Sequence, residues 1–399
     1  MEVYGECWRA ACRIAGWRCN GDLRVKWSNH YDAKMFKYSL RGKCFACVGI
    51  GGSIVVFTQV AALNHSRQLT QQTPSYPALQ VPAHSVPVPN TVSGELQKLI
   101  AVPSDPAWKV TPKSSAEWKA LVAADAAEVI ATLPELREKF GVKVEAMKIG
   151  GVNVFMVTPN VIPEENRNRL LVHVHGGGYV FGPGEAGTLE AIEMAGYGHF
   201  KVISVDYRMP PEFPFPAALD DAITVWKAAV TMAKPENIAI FGSSAGGGLT
   251  LAMVLRAKQE HLPMPAAIAP GTPWSDLTKS GDSYFTNHML DNVLVAYEGE
   301  LEASALLYAN GHDLKDPMIS PIYGDMHSFP ATILTTGTRD LFLSNTVRVH
   351  RKLRQCGVES ELHVYEGMSH AQFCIDPFAP ESKEAFLEIA NFFSTHLGK

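Results

Sequence analysis

Six short apolar runs recur through the C-terminal part of this chain, at Leu170–Val174, Val202–Val205, Ile238–Phe241, Ala266–Ala269, Thr332–Thr335 and Leu362–Tyr365. Helical patterns fall among them near Glu185–Gly196, Ala217–Ala233, Ala245–Gln259 and Asn345–Gln355, and another follows at Ser382–His396. A strand that is apolar along its whole length is buried on both faces, and strands joined through helices run parallel. The expected class is therefore α/β, with a mostly parallel sheet covered by helices on both sides. Ahead of the first run, Val144–Ile149 and Val152–Val157 flank Gly150-Gly151, a hairpin signal. Glu95–Ala101 and Ser115–Phe140 read as helices, the second with Glu117 placed as a capping-box acid.

One stretch breaks the alternation. Trp274–Asp325 is rich in Gly, Asp, Asn and Met, with a helical centre at Glu298–Tyr308, where a connection of about two to six residues is expected. An insertion of that size over a sheet commonly lids an active site. The expected organisation is an α/β domain at 142–273 and 326–399, a cap insertion at 274–325 and N-terminal cap helices at 93–141.

The region before residue 93 has a different character. Residues 64–92 have the Pro, Gln and Ser content of a linker. Cys44–Leu63 is an uncharged apolar run of about the length that just crosses a bilayer, preceded by Lys34, Lys37, Arg41 and Lys43. Counted from Met35, the basic start, apolar centre and Val60-Ala61-Ala62 resemble a secretory signal peptide. Residues 35–63 are thus expected to direct export, leaving no stable membrane association after cleavage, with a membrane anchor at 44–63 as the alternative. Residues 1–34 read as an upstream extension outside the native protein. The first 43 residues carry nine Lys/Arg against four Asp/Glu, so within a total of −5 the remainder sums to −10. That balance argues against a nucleic-acid partner. A content of 46% hydrophobic and 19% charged residues excludes collagen, coiled coil and wholesale disorder. Beyond the leader only Cys356 and Cys374 remain, more in keeping with unpaired thiols than with a disulfide.

Chemistry concentrates at the ends of the apolar runs. Ile238–Phe241 passes into Gly242-Ser243-Ser244-Ala245-Gly246 and a helix, a G-x-S-x-G turn whose middle serine projects at the helix N-terminus. Leu170–Val174 ends in His175-Gly176-Gly177-Gly178, where successive glycines let backbone N–H groups approach a developing oxyanion. The expected donors are Gly177, Gly178 and Ala245. A serine nucleophile needs a base, and the base an orienting carboxylate, in the order Ser, Asp/Glu, His for such a sheet. Asp340 follows the strand Thr332–Thr335, and His370 is the histidine in a loop directly after a strand. Ser244, Asp340 and His370 are the expected catalytic residues. His173-x-His175 could place two imidazoles on one strand face, but no carboxylate or cysteine cluster accompanies them as metal ligands would require.

The stretches HGGGY, DYRMPPEFPFPAALDD (Asp206–Asp221), GSSAGG, GTRDLFLSN and GMSHAQF together resemble the bacterial branch of the hormone-sensitive lipase family, family IV of the α/β-hydrolase superfamily, over about residues 85–399. The resemblance implies an eight-stranded, mostly parallel sheet with a helical cap, and carboxylester hydrolysis without cofactor or metal. It carries the nucleophile, acid and base onto Ser244, Asp340 and His370, and the anion donors onto Gly177, Gly178 and Ala245. It makes a homodimer compatible with the chain and a short-acyl ester the expected small-molecule substrate. Ser243 departs from the Asp or Thr that many members carry before the nucleophile. Glu212, in a segment resembling the family's YRxxPE, is expected to order a loop beneath the site. Rival readings are an amidase, lactonase or deacetylase on the same triad, or a non-catalytic small-molecule receptor on the same fold.

Overall fold

The computed structural model describes residues 77–398. The upstream extension, the signal or anchor segment and the linker as far as residue 76 lie outside the described residues. Residues 77–89 have no regular secondary structure, and most are exposed. Helix α1 (Gly94–Ala101) starts where order is expected, with Ser93 Oγ accepting the N–H of Leu96 at its N-terminus. In α2 (Ser115–Phe140), Ser114 Oγ accepts the N–H of Glu117 while the Glu117 carboxylate accepts the N–H of Lys113. Gly141, at φ 60°, stops this helix in a left-handed cap.

Strands β1 (Val142–Ile149) and β2 (Val152–Pro159) form the expected hairpin, pairing Ile149 with Val152 across Gly150 and Gly151. Both glycines have positive φ, which this two-residue turn requires. The remaining elements are β3 (Leu170–Val174), α3 (Leu189–Gly198), β4 (Lys201–Val205), α4 (Ala217–Met232), β5 (Ile238–Ser243), α5 (Ala245–Gln259) and β6 (Ala267–Gly271). After them come the short α6 (Ser283–Thr286), α7 (Glu300–Ala309), β7 (Ala331–Gly337), α8 (Leu343–Gln355), β8 (Ser360–Tyr365) and α9 (Pro380–His396). They build one eight-stranded sheet in the order β1-β2-β4-β3-β5-β6-β7-β8. Only β2 runs antiparallel to its neighbours.

Alternation along the buried strands divides the core between the two faces. Leu170, Val172, Val174, Ile238 and Ile240 pack with α4, α5 and α8, whereas Leu171, Ala239 and Phe241 pack with α1, α2, α3 and α9. Two boundaries differ from expectation. The helix expected from Glu185 begins with a 3-10 turn at Gly184–Thr188, and its α-helical part starts at Leu189. At the expected start of the insertion, Trp274 is fully buried and donates its backbone N–H to the Ser244 carbonyl. Cys356 and Cys374 are both free thiols. Among the described residues, no helix is long and apolar enough to cross a membrane.

Candidate active site

The turn from β5 into α5 holds Ser244 at φ 60° and ψ −123°, a strained conformation for a residue with a side chain. Its N–H donates to Gly271 O at 2.9 Å, and its carbonyl accepts from Gly248 and Trp274. The flanking glycines are explained by contact, because a Cβ on either Gly242 or Gly246 would run into the Val174 carbonyl oxygen. A Cβ on Gly176 would stand 2.9 Å from Ser243 O. The loops after β3 and β5 therefore touch backbone to backbone.

Ser243 and Ser244 have different surroundings. Ser243 is buried, with its hydroxyl donating to Glu190 Oε1 at 2.7 Å and its N–H to Glu190 Oε2 at 3.1 Å. Ser244 is half-buried, and both serines line a cavity of about 560 Å³. Gly177 and Gly178, at φ 93° and 58°, turn the HGGG loop along the same cavity. Among the described backbone hydrogen bonds outside regular elements, none uses the N–H of Gly177, Gly178 or Ala245. His175, beside them, is pushed down to about 3 by burial, so its imidazole is neutral, and it stacks on Tyr207 with ring centroids 4.1 Å apart.

Asp340 is fully buried on the loop after β7, and His370 is nearly so on the loop after β8. His370 Nδ1 is 3.0 Å from Asp340 Oδ1. The carboxylate also accepts the N–H of Phe342 at 2.7 Å and the hydroxyls of Thr336 and Thr272. Across the ring, His370 Nε2 is buried without a hydrogen-bond partner, and His370 lines the same cavity as Ser244. No hydrogen bond joins the Ser244 hydroxyl to that nitrogen among the described side-chain contacts; in unliganded sites such bonds are often long. Thr272, at φ 34°, also approaches His370 Nδ1 to 3.0 Å.

Sequence reasoning missed several supporting residues. Thr272 could have been found, since it directly follows β6 at the strand end where such sheets gather site residues. Asp291, buried in the insertion, accepts the N–H groups of Val293, Leu294 and Leu341, and burial followed by repulsion from Asp340 raises its carboxyl to about 6. No local pattern announces it. Glu212 lies on the surface in an ion pair with Lys119 of α2, not beneath the site. The loop it sits on is held instead by the paired Arg208 and Asp221 and by Asp206 accepting the Gly184 N–H.

Residues of 93–141 and of 274–325 line the same cavity. Trp108, with Asp125 and Val129 of α2, faces Glu300, Leu301 and Ser304 of α7 around it. Trp118, Tyr284 and Tyr308, in the same two segments, are buried, whereas Phe285 is exposed.

A doubly covered, mostly parallel sheet with a serine at a strained strand-to-helix turn and a histidine–aspartate pair on the loops after β7 and β8 defines an α/β-hydrolase. A family model described as alpha/beta hydrolase fold matches residues 171–374. An esterase of Acinetobacter venetianus is 30% identical over 254 residues, covering 63% of this chain and 82% of that protein. The solved structure of an esterase, E25, superposes with a TM-score of 0.78 at 42% identity, over 80% of this chain and 99% of that one. An esterase from the bacterial hormone-sensitive lipase family superposes at 0.64 with 25% identity, over 77% and 99%. The chain belongs to this hormone-sensitive-lipase-like family IV of the α/β-hydrolases, and it is a carboxylic ester hydrolase.

Proposed function

We propose that the chain hydrolyses short-acyl carboxylic esters through a covalent acyl-enzyme on Ser244. The observation that carries this reading is His370, which is bound to Asp340 through Nδ1 while its Nε2, buried and without a partner, belongs to the wall of the cavity that Ser244 lines. In the proposed sequence, Nε2 takes the Ser244 proton as the hydroxyl oxygen attacks the ester carbonyl, and Asp340 holds the ring and stabilises its cation. The N–H groups of Gly177, Gly178 and Ala245 receive the oxyanion. His370 then protonates the departing alcohol, and water repeats the steps to free the acid.

A cavity of about 560 Å³ suits a small ester and supports the short-acyl reading. Kinetics on p-nitrophenyl esters of rising chain length test it, with acetate and butyrate expected to exceed long-chain esters and matched amides. Ser244→Ala is expected to lower kcat by on the order of 10⁶-fold with the fold retained. Activity near wild type in that variant would remove Ser244 as nucleophile. Export through residues 35–63 is proposed from sequence alone. N-terminal sequencing of exported protein tests it, with a start just after Ala62 expected.

A further inference from the structure

We infer that Glu190 is a positioning residue, whose carboxylate fixes the nucleophile turn against the oxyanion loop. It lies in the first turn of α3, 53 residues before Ser243 in sequence, and is 9% exposed. One oxygen accepts the Ser243 hydroxyl at 2.7 Å, and the other accepts the Ser243 N–H at 3.1 Å and faces His173 Nε2 at 3.2 Å.

These partners sit on the two segments whose relative placement sets the site. Ser243 immediately precedes Ser244, so the peptide that presents the nucleophile and leads to the Ala245 N–H is held through the residue before it. His173 belongs to β3, which runs directly into the HGGG loop, and its Nδ1 is held in turn by Ser204 Oγ at 2.9 Å. A single buried carboxylate therefore ties together both halves of the oxyanion geometry. The same contact commits the Ser243 hydroxyl as a donor and keeps it from competing with Ser244. Glu193, one turn along α3, is fully buried with both carboxyl oxygens unpaired. The two acids are thus treated differently: Glu190 accepts the Ser243 hydroxyl and N–H and faces His173 Nε2, whereas Glu193 has no partner.

The inference rests on Ser244 as nucleophile, and the test separates the two. Glu190→Gln, Ser243→Ala and the double variant are compared with wild type by kcat and KM on p-nitrophenyl butyrate, by the rate of Ser244 labelling with a fluorophosphonate, and by Tm. Glu190→Gln is expected to lower kcat and labelling about 10- to 100-fold, since small misplacements of a reacting group cost that much, with KM changed less than about 3-fold. Ser243→Ala, which unpairs no charge, is expected to lower both about 3- to 10-fold and carries the test alone if Glu190→Gln does not fold. The double variant is expected to be no slower than Glu190→Gln, because both changes break one contact. Wild-type kcat in either folded single variant overturns the inference, as do multiplicative losses in the double. An unlabelled Ser244 in the wild type overturns the nucleophile reading and this inference with it.

Discussion

Asp340 and His370 are joined at 3.0 Å, and the same carboxylate is held from three other directions by Thr272, Thr336 and the Phe342 N–H. A carboxylate so fully engaged is fixed in orientation, and it fixes the imidazole in turn. Asp340→Asn is expected to reduce kcat by about 10⁴-fold, because the amide favours the wrong ring tautomer. Thr272→Val removes one of four donors and leaves the charge, so a loss of about 10-fold is expected. Steady-state kinetics on p-nitrophenyl acetate check both, and equal losses would contradict the ranking.

The cavity should discriminate by charge. Its wall carries Asp105, Asp125, Glu190 and Glu300 and, among the described residues, no Lys or Arg. Burial, followed by repulsion from Asp125 and Asp105, raises Glu300 to about 7, so it is neutral below that pH and anionic above it. An ester bearing a free carboxylate is expected to be cleaved roughly 10-fold more slowly at pH 8 than its neutral methyl ester, about 1.4 kcal/mol of repulsion. The ratio should shrink at pH 6 and in Glu300→Gln. A ratio independent of pH would exclude Glu300 as its source.

Much of this architecture is legible in the chain because steric demands leave visible traces. The strands β3 to β7 are buried over most of their length, so their runs read as mainly apolar segments, broken by His173 in β3, Ser204 in β4 and the threonines of β7. The glycines of the elbow stand where any side chain would strike Val174 or His175, so the motif follows from contact geometry and is readable without coordinates. Loops at the C-terminal strand ends supplied Asp340 and His370 for the same reason of topology. What stayed hidden depends on meetings between distant segments. Glu190 in a helix and Asp291 in the insertion carry no local signature, because polar residues at such positions are ordinary until folding brings a partner. The start of α3 is likewise illegible, because the 3-10 stretch Gly184–Thr188 runs into the helix without a break in the sequence pattern.

The insertion should support the proposed base, His370, as well as line the cavity. Asn292 Nδ2 donates to Leu99 O and Val102 O at 2.8 Å each, and its Oδ1 accepts Gln372 Nε2 at 2.9 Å. It thereby links the end of α1 to the loop that carries His370. Asn292→Ala leaves two carbonyls without this donor and is expected to cost about 1–3 kcal/mol of stability. Because Gln372, whose Oε1 accepts the Ser369 N–H beside His370, loses one of its contacts, kcat should fall more than KM rises. A lower Tm with kcat intact would assign Asn292 to packing alone.

Glu193 should make the protein less stable as pH rises. Burial and the neighbouring Glu190 raise its carboxyl well above the ordinary carboxylate range, and neither oxygen has a partner. From the ordinary carboxylate range upward to that raised value, the folded state keeps a proton that the unfolded chain releases. Unfolding therefore frees a proton, and stability declines with increasing pH across this window. Glu193→Gln preserves shape and removes the titration. Near pH 4 both proteins carry a neutral side chain here, and their Tm values are expected to agree. At pH 8 the variant should melt higher, by about 2 °C or more for each kcal/mol recovered. Thermal melts at the two pH values check this, and a variant that melts lower at pH 8 would mean that an ionised Glu193 stabilises the fold.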